Sequence, residues 1–228
     1  MHISLRSLAI PLLLAAAGTA LAAGGGSMPS SSPGPGMSER APPSPEEQAR
    51  SAYNAGVHTV DKADKLMADA AHQADEHKQQ KAHAKAEQAY AAAMKKFASA
   101  TEIAPGNYQA WNYLGYTNRR LGNYDAALAA YDHALRLKPD YAEAIEYRGH
   151  AYLGLGRLSE AKEAYLALYS GNRKLAAQLL AAMQEWVGEH RGNAGGLDVD
   201  AFASWVSERS TIASQTAGLT REGATARW

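Results

Sequence analysis

The chain contains no cysteine. That excludes disulfides, a thiol nucleophile and a lipid-carrying N-terminal cysteine. Neither sign of charge is in excess: 23 Lys and Arg against 23 Asp and Glu give a formal net charge of +0. A balanced chain gives no electrostatic case for binding nucleic acid or an acidic membrane surface. There is no glycine-rich phosphate loop and no spacing of serine, histidine and acid that would bring a triad together, so no catalytic constellation is legible and no cofactor is implied. Between Val57 and Ala104 there is neither glycine nor proline. Nothing in that interval breaks a helix.

The N-terminus reads as an export signal over residues 1–22. Arg6 supplies a positive start, Leu8 to Ala17 is a short apolar run, and Ala20-Leu21-Ala22 has the small-x-small form of a cleavage site. The competing reading is a membrane anchor, but the run is shorter than the roughly 20 residues a span needs. Without residues 1–22 the chain keeps 22 basic and 23 acidic groups. Residues 23–43 form a linker dominated by glycine, serine and proline, with no apolar periodicity. It is expected to be unstructured, and reads either as a tether or as a passive spacer.

Hydrophobic residues make up 46 % of the chain, and many are alanine, which favours helix and close packing over a bulky core. Ser44-Pro45-Glu46-Glu47 opens the first helix as a capping box, with proline at the first helical position. A seam then runs through Ala49, Tyr53, Gly56, Val60, Ala63, Met67, Ala70 and Ala74 in alternating steps of four and three. A return seam follows at Ala86, Tyr90, Ala93, Phe97 and Ala100.

Trp111 to Pro139 carries the most specific pattern: Trp111-x2-Leu114-Gly115, then Ala127-x3-Tyr131-x2-Ala134, then Pro139. Gly115 and Ala127 are small where two helices would cross, and Leu121 to Asp125 reads as the turn between them. Shifting by 34 residues places Gly115 on Gly149, Gly122 on Gly156, Ala127 on Ala161 and Tyr131 on Tyr165. The opposite shift places Ala127 on Ala93, Tyr131 on Phe97 and Pro139 on Pro105. The chain therefore resembles the tetratricopeptide repeat family, whose unit is a 34-residue helix–turn–helix.

The resemblance implies an all-α solenoid in which residues 44–105 form a degenerate first repeat and 106–171 hold repeats two and three. Residues 172–215 supply capping helices, and 216–228 form a tail. Gly115 and Ala127 are 12 apart, whereas the corresponding Gly56 and Ala93 are 37 apart. The first repeat thus holds about 25 extra helix-compatible residues. They are read as an elongated hairpin with its tip near Ala74-Asp75, projecting about 18 Å, because both seams are too small and narrow to be stable unless they face a partner; the alternative is one uninterrupted helix. In the third repeat Ile145 and Arg148 replace Trp111 and Leu114, and Leu168 replaces a small residue. Leu179, Ala182, Met183 and Trp186 continue the inner positions. Asp198 caps a last helix that buries Val199, Phe202, Ala203 and Val206.

By the same resemblance, the first helices of the units line a concave groove. Its side chains are Gln109, Asn112, Tyr113, Tyr116, Arg119 and Arg120 in the second repeat, and Glu143, Glu146, Tyr147 and His150 in the third. Amide and guanidinium donors beside tyrosine suit an extended peptide, although tyrosines on helices also simply cover their neighbours. Some family members grip a terminal carboxylate with paired lysines and asparagines; Glu143, Glu146 and Tyr147 do not reproduce that set. His58, His72, His77 and His83 lack the i,i+4 spacing of a helical metal pair, so no metal is expected. The functional expectation is a non-catalytic adaptor of the periplasm or cell envelope, possible also as a secreted protein, that binds a protein or peptide in its groove and has no membrane span once the signal is removed. The alternative is a structural subunit that self-associates through the arm at residues 45–104.

Overall fold

Ser44 and Glu47 exchange hydrogen bonds at the start of the first helix: the Glu47 amide donates to Ser44 Oγ at 3.2 Å, and the Ser44 amide donates to Glu47 Oε2 at 2.9 Å. This capping box satisfies two backbone donors that a helix start leaves unpaired. The computed structural model describes residues 42–192 and 197–225. The expected export signal, the expected linker through residue 41, the break expected at 193–196 and Trp228 lie outside the described residues.

Among the described residues eight α-helices follow one another with no strand: α1 (Pro45–Ala71), α2 (Glu76–Ile103), α3 (Tyr108–Arg120), α4 (Tyr124–Leu137), α5 (Ala142–Gly154), α6 (Leu158–Gly171), α7 (Arg173–His190) and α8 (Val199–Thr225). The fold is an all-α solenoid of helical hairpins. Of the two arrangements open for residues 45–104, the chain adopts the hairpin. Aligned on Gly56 and Gly115, α1 runs about ten residues past the point where α3 stops. Aligned on Ala93 and Ala127, α2 begins about fourteen residues early. At 1.5 Å per residue these add roughly 15 to 21 Å of arm.

The arm closes on small side chains. Ala63, Ala70, Ala86, Ala93 and Ala100 are fully buried, and Tyr90 and Phe97 supply most of the volume between the helices. The α1 seam ends at Ala70. Ala74, read as its last member, lies exposed in the turn instead. That turn has no glycine or proline. Asp75 makes it by capping α2, accepting from the Lys78 amide at 3.0 Å, which supplies the break a turn residue would otherwise provide.

In the next two hairpins the 34-residue shift becomes geometry. Gly122 and Gly156, one shift apart, have φ of 77° and 68°. They join α3 to α4 and α5 to α6 in a conformation that disfavours any Cβ. A Cβ on Gly115 would stand 2.5 Å from Tyr131 Cε1, so glycine lets α3 meet the fully buried tyrosine of α4. In the third hairpin the larger Leu168 is accommodated, 1 % exposed, in a core shared with α7 and α8. Asn172 ends α6 and caps α7, accepting from the Leu175 amide at 3.1 Å. Leu179, Met183 and Trp186 of α7 meet Phe202 and Val206 of α8. The cap of α8 is Asp198, which accepts from the Ala201 amide at 2.9 Å.

The end of α8 corrects the sequence reading, which began a tail at residue 216. The helix continues to Thr225. Gly218 and Gly223 lower helix propensity but do not remove a hydrogen bond, and no proline intervenes to end the ladder.

Candidate functional site: the tyrosine-lined inner face

The first helices α1, α3 and α5 bring tyrosines into one run of ring contacts. Tyr53 of α1 lies edge-on to Tyr113 of α3, with ring centroids 5.8 Å apart, and Tyr113 stacks on Phe97 at 5.0 Å. Tyr113 leads to Tyr116 at 6.5 Å, and Tyr116 to Tyr147 of α5 at 5.2 Å. Aromatic pairs at these separations contribute beyond their buried area. Tyr53, Tyr113 and Tyr147 remain half-buried, so each keeps part of a ring at the surface.

The groove residues expected from sequence divide into two groups. Gln109, Tyr113, Arg119, Arg120, Tyr147 and His150 are partly accessible, and Glu143 is exposed. Asn112, Tyr116 and Glu146 are not open surface: they are 2 %, 8 % and 6 % exposed. Tyr116 is covered because the rings of Tyr90, Tyr113 and Tyr147 surround it and both Arg119 and Arg120 lie over it. Asn112 and Glu146 occupy the same position one 34-residue shift apart. Glu146 pairs with His150 Nε2 at 2.9 Å, whereas Asn112 Oδ1 has no hydrogen-bond partner.

A polar network at the foot of the arm was not legible as part of the site. Asp64 of α1 accepts from the Tyr90 hydroxyl, from the Tyr116 hydroxyl at 2.7 Å and from Arg120 Nη1 at 3.4 Å. Arg120 also donates to Tyr116 Oη at 3.1 Å, and its guanidinium lies 4.7 Å from the Tyr90 ring centroid. Burial, reinforced by the hydrogen bonds to Asp64, pushes the Tyr90 and Tyr116 phenols well above their ordinary value. Burial likewise raises Tyr53, Tyr113 and Tyr141, and pushes Tyr147 up to about 12. The accessible rings offer apolar contact area with hydroxyls that can hydrogen-bond.

Tyr53 was within reach of the sequence: it stands three residues before Gly56, as Asn112 stands three before Gly115. Asp64 had no such signal, because it lies in the segment that the repeat template lacks. His58 lies in α1, His72 in the turn after it, and His77 and His83 in α2; among the described residues no group of three His, Cys, Asp or Glu is placed to hold a metal ion.

Residues 108–141 match a family model described as a tetratricopeptide repeat, and residues 142–172 match a second. Two tetratricopeptide repeats stand side by side in this chain. They correspond to α3–α4 and α5–α6, the hairpins in which Gly122 and Gly156 make the turns. Repeats of this kind mediate protein–protein interaction. The arm before them and the α7–α8 hairpin after them lie outside the matched residues and extend the stack at both ends. No helix of the described residues is long and apolar enough to cross a membrane.

Proposed function

We propose that this chain is a non-catalytic adaptor that holds a segment of a partner protein on the inner face of its repeats. The observation that supports it is the chain of ring contacts across three helices, in which the partly accessible Tyr53, Tyr113 and Tyr147 are joined through the buried Tyr116. Tyrosine offers large, rigid contact area with few torsions to freeze, and its hydroxyl can bond a peptide backbone. The site of action is the periplasm or cell envelope. Arg6, the apolar run Leu8 to Ala17 and the Ala20-Leu21-Ala22 cleavage form support that placement.

A pull-down from native envelope extract tests the reading. It compares the unaltered chain, a Tyr113→Ala/Tyr147→Ala variant, and a variant in which residues 67–86 of the arm are replaced by a short turn. Circular dichroism establishes that all three are folded. A partner lost only with the tyrosine variant supports the adaptor. A partner, or a second copy of the chain, lost only when the arm is shortened replaces it with the assembly role through residues 45–104, for which the long hairpin with its exposed tip is suited.

A further inference from the structure

A cavity of about 390 Å³ opens in the corner where α6, α7 and α8 meet. It shares no residue with the tyrosine-lined inner face, so its role is independent of the adaptor reading. Its long direction follows α7. Arg173, Ala176, Ala177 and Leu180 line it at spacings of three, four and seven residues. They therefore share one helix face and span about 10 Å. Helix α8 runs antiparallel across from them: Gln184 of α7 donates to Ser210 Oγ at 2.7 Å, and Trp186 lies edge-on to Phe202. Ala213 thus stands toward the Leu180 end and Thr216 toward the Arg173 end.

The two ends of this slot differ in chemistry. At the outer end the hydroxyls of Tyr169 and Thr216 are paired at 3.4 Å. The exposed Arg173 lies with its guanidinium 3.5 Å from the Tyr169 ring centroid and hydrogen-bonds the Tyr169 hydroxyl. A guanidinium has five N–H donors, so that bond leaves others for a ligand. Arg173 makes no ion pair among the described residues. At the inner end, one turn back along α6, the ring of Tyr165 packs edge-on to Trp205 at 5.5 Å, and Leu180 and Ala213 complete an apolar wall. None of the described residues lining the cavity carries a carboxylate. The charged groups felt at both Tyr165 and Tyr169 are Arg173 and Arg209. Arg209 is already paired with Glu208 at 3.2 Å, whereas Arg173 stands at the mouth.

We infer that this slot binds a straight-chain aliphatic monocarboxylate of about ten carbons, with its carboxylate at Arg173 beside the Tyr169 and Thr216 hydroxyls and its chain running along α7 toward Leu180. The planar guanidinium fits a carboxylate, and the absence of a lining acid leaves nothing to repel it. If each methylene takes about the 30 Å³ share of a water molecule, the cavity holds roughly a dozen non-hydrogen groups, the size of decanoate. A slot that is narrow, walled by alanines and polar at one end suits a linear chain better than a broad ring system.

Isothermal titration calorimetry of the full chain with hexanoate, octanoate and decanoate, each below its micelle-forming concentration, tests this. Decanol, decyltrimethylammonium and 3-phenylpropanoate are titrated alongside. The expected result is one decanoate per chain, with affinity rising about fourfold for each added methylene. Decanol and decyltrimethylammonium should bind at least about tenfold more weakly than decanoate. Arg173→Gln should weaken decanoate about tenfold and leave decanol unchanged, and Arg173→Lys should restore part of the loss. Ala213→Leu, which fills the inner end, should weaken decanoate and decanol alike. Ala177→Leu at the exposed rim is a second filler in case circular dichroism shows that the first has lost helix. No saturable decanoate binding, or binding that ignores both fillers, would overturn the site. Decanoate held no more tightly than decyltrimethylammonium, or unaffected by Arg173→Gln, would overturn the carboxylate assignment. Tighter binding of 3-phenylpropanoate than of decanoate would overturn the straight chain. None of these outcomes touches Tyr113 or Tyr147, so the adaptor reading stands or falls separately.

Discussion

Tyr116 donates its hydroxyl to Asp64 Oδ1 at 2.7 Å, joining residues 52 positions apart. Tyr90 reaches the same oxygen from the other helix of the arm, and Arg120 from the last turn of α3. One carboxylate therefore fastens both arm helices to the first matched repeat. The junction of the arm with the stack thus contains a polar contact beside the apolar cluster of Tyr90, Phe97, Tyr113 and Tyr116. Buried phenols need an acceptor, and Asp64 is the acceptor for two of them.

Replacing Asp64 should expose that dependence. Asp64→Ala leaves two phenols and a guanidinium without their acceptor. Because the Asp64 side chain is 40 % exposed, water relieves part of the loss, and the expected destabilisation is about 1–2 kcal/mol. Asp64→Asn keeps an accepting oxygen and should cost less. In the double variant Asp64→Ala/Tyr90→Phe the two effects should fall short of additive, since both remove the same bond. Urea denaturation of the unaltered chain, the single variants Asp64→Ala, Asp64→Asn and Tyr90→Phe, and the double variant measures this. Strict additivity, with Asp64→Ala equal to Asp64→Asn, would remove the network from the account.

Glycines in this chain should respond oppositely according to what stands beside them. A Cβ on Gly115 would sit 2.5 Å from Tyr131, which is fully buried and cannot retreat. Gly115→Ala should destabilise by about 1–3 kcal/mol through overpacking, outweighing the helix-propensity gain of roughly 1 kcal/mol. Gly188 is exposed in α7, with nothing within 4 Å of its would-be Cβ. There Gly188→Ala should stabilise by about 0.5–1 kcal/mol. Thermal melts of the pair give both signs, and a stabilised Gly115→Ala protein would mean that α3 and α4 are packed more loosely than these contacts indicate.

The parts of the fold that were legible in the sequence are those where one residue type answers one geometric demand. Gly115, Gly122 and Gly156 at fixed offsets imply close crossings and left-handed turns, and those are what they make. Ser44 with Glu47 implies a helix start. The arm was legible as a surplus of helix-compatible residues between Gly56 and Ala93, and as a hairpin because two narrow seams need each other, but the turn itself carried no signal, because Asp75 makes it with a cap that many exposed acids could supply. The inner face was legible as a row of positions, whereas burial was not. Asn112, Tyr116 and Glu146 stand on that row and are covered, since cover depends on neighbours brought in from other hairpins. Asp64 belongs to no repeat position, so only the folded arrangement places it against Tyr116. At the other end, α8 outran the pattern because helix can persist where apolar periodicity has stopped.

The tyrosines should make the fold fail at high pH in a characteristic way. Eight of the chain's 12 tyrosines have phenols held above the ordinary value of about 10: Tyr53, Tyr90, Tyr113, Tyr116, Tyr131, Tyr141, Tyr147 and Tyr165, in each case chiefly through burial. A raised value means the folded state keeps its proton after the unfolded state has lost it. Between pH about 10 and the folded value the unfolded chain binds fewer protons, so stability falls as pH rises; below pH about 10 this contribution is fully present. Tyr169 differs, since its hydrogen bond with Thr216 and the nearby Arg173 guanidinium lower its phenol. Phenolate absorbance followed together with helix content should show an early, small ionisation that Tyr169→Phe removes. A delayed step should follow, in which most phenolates appear as the helices melt. All phenols ionising smoothly near pH 10 with the helices intact would contradict the buried aromatic face on which the adaptor reading rests.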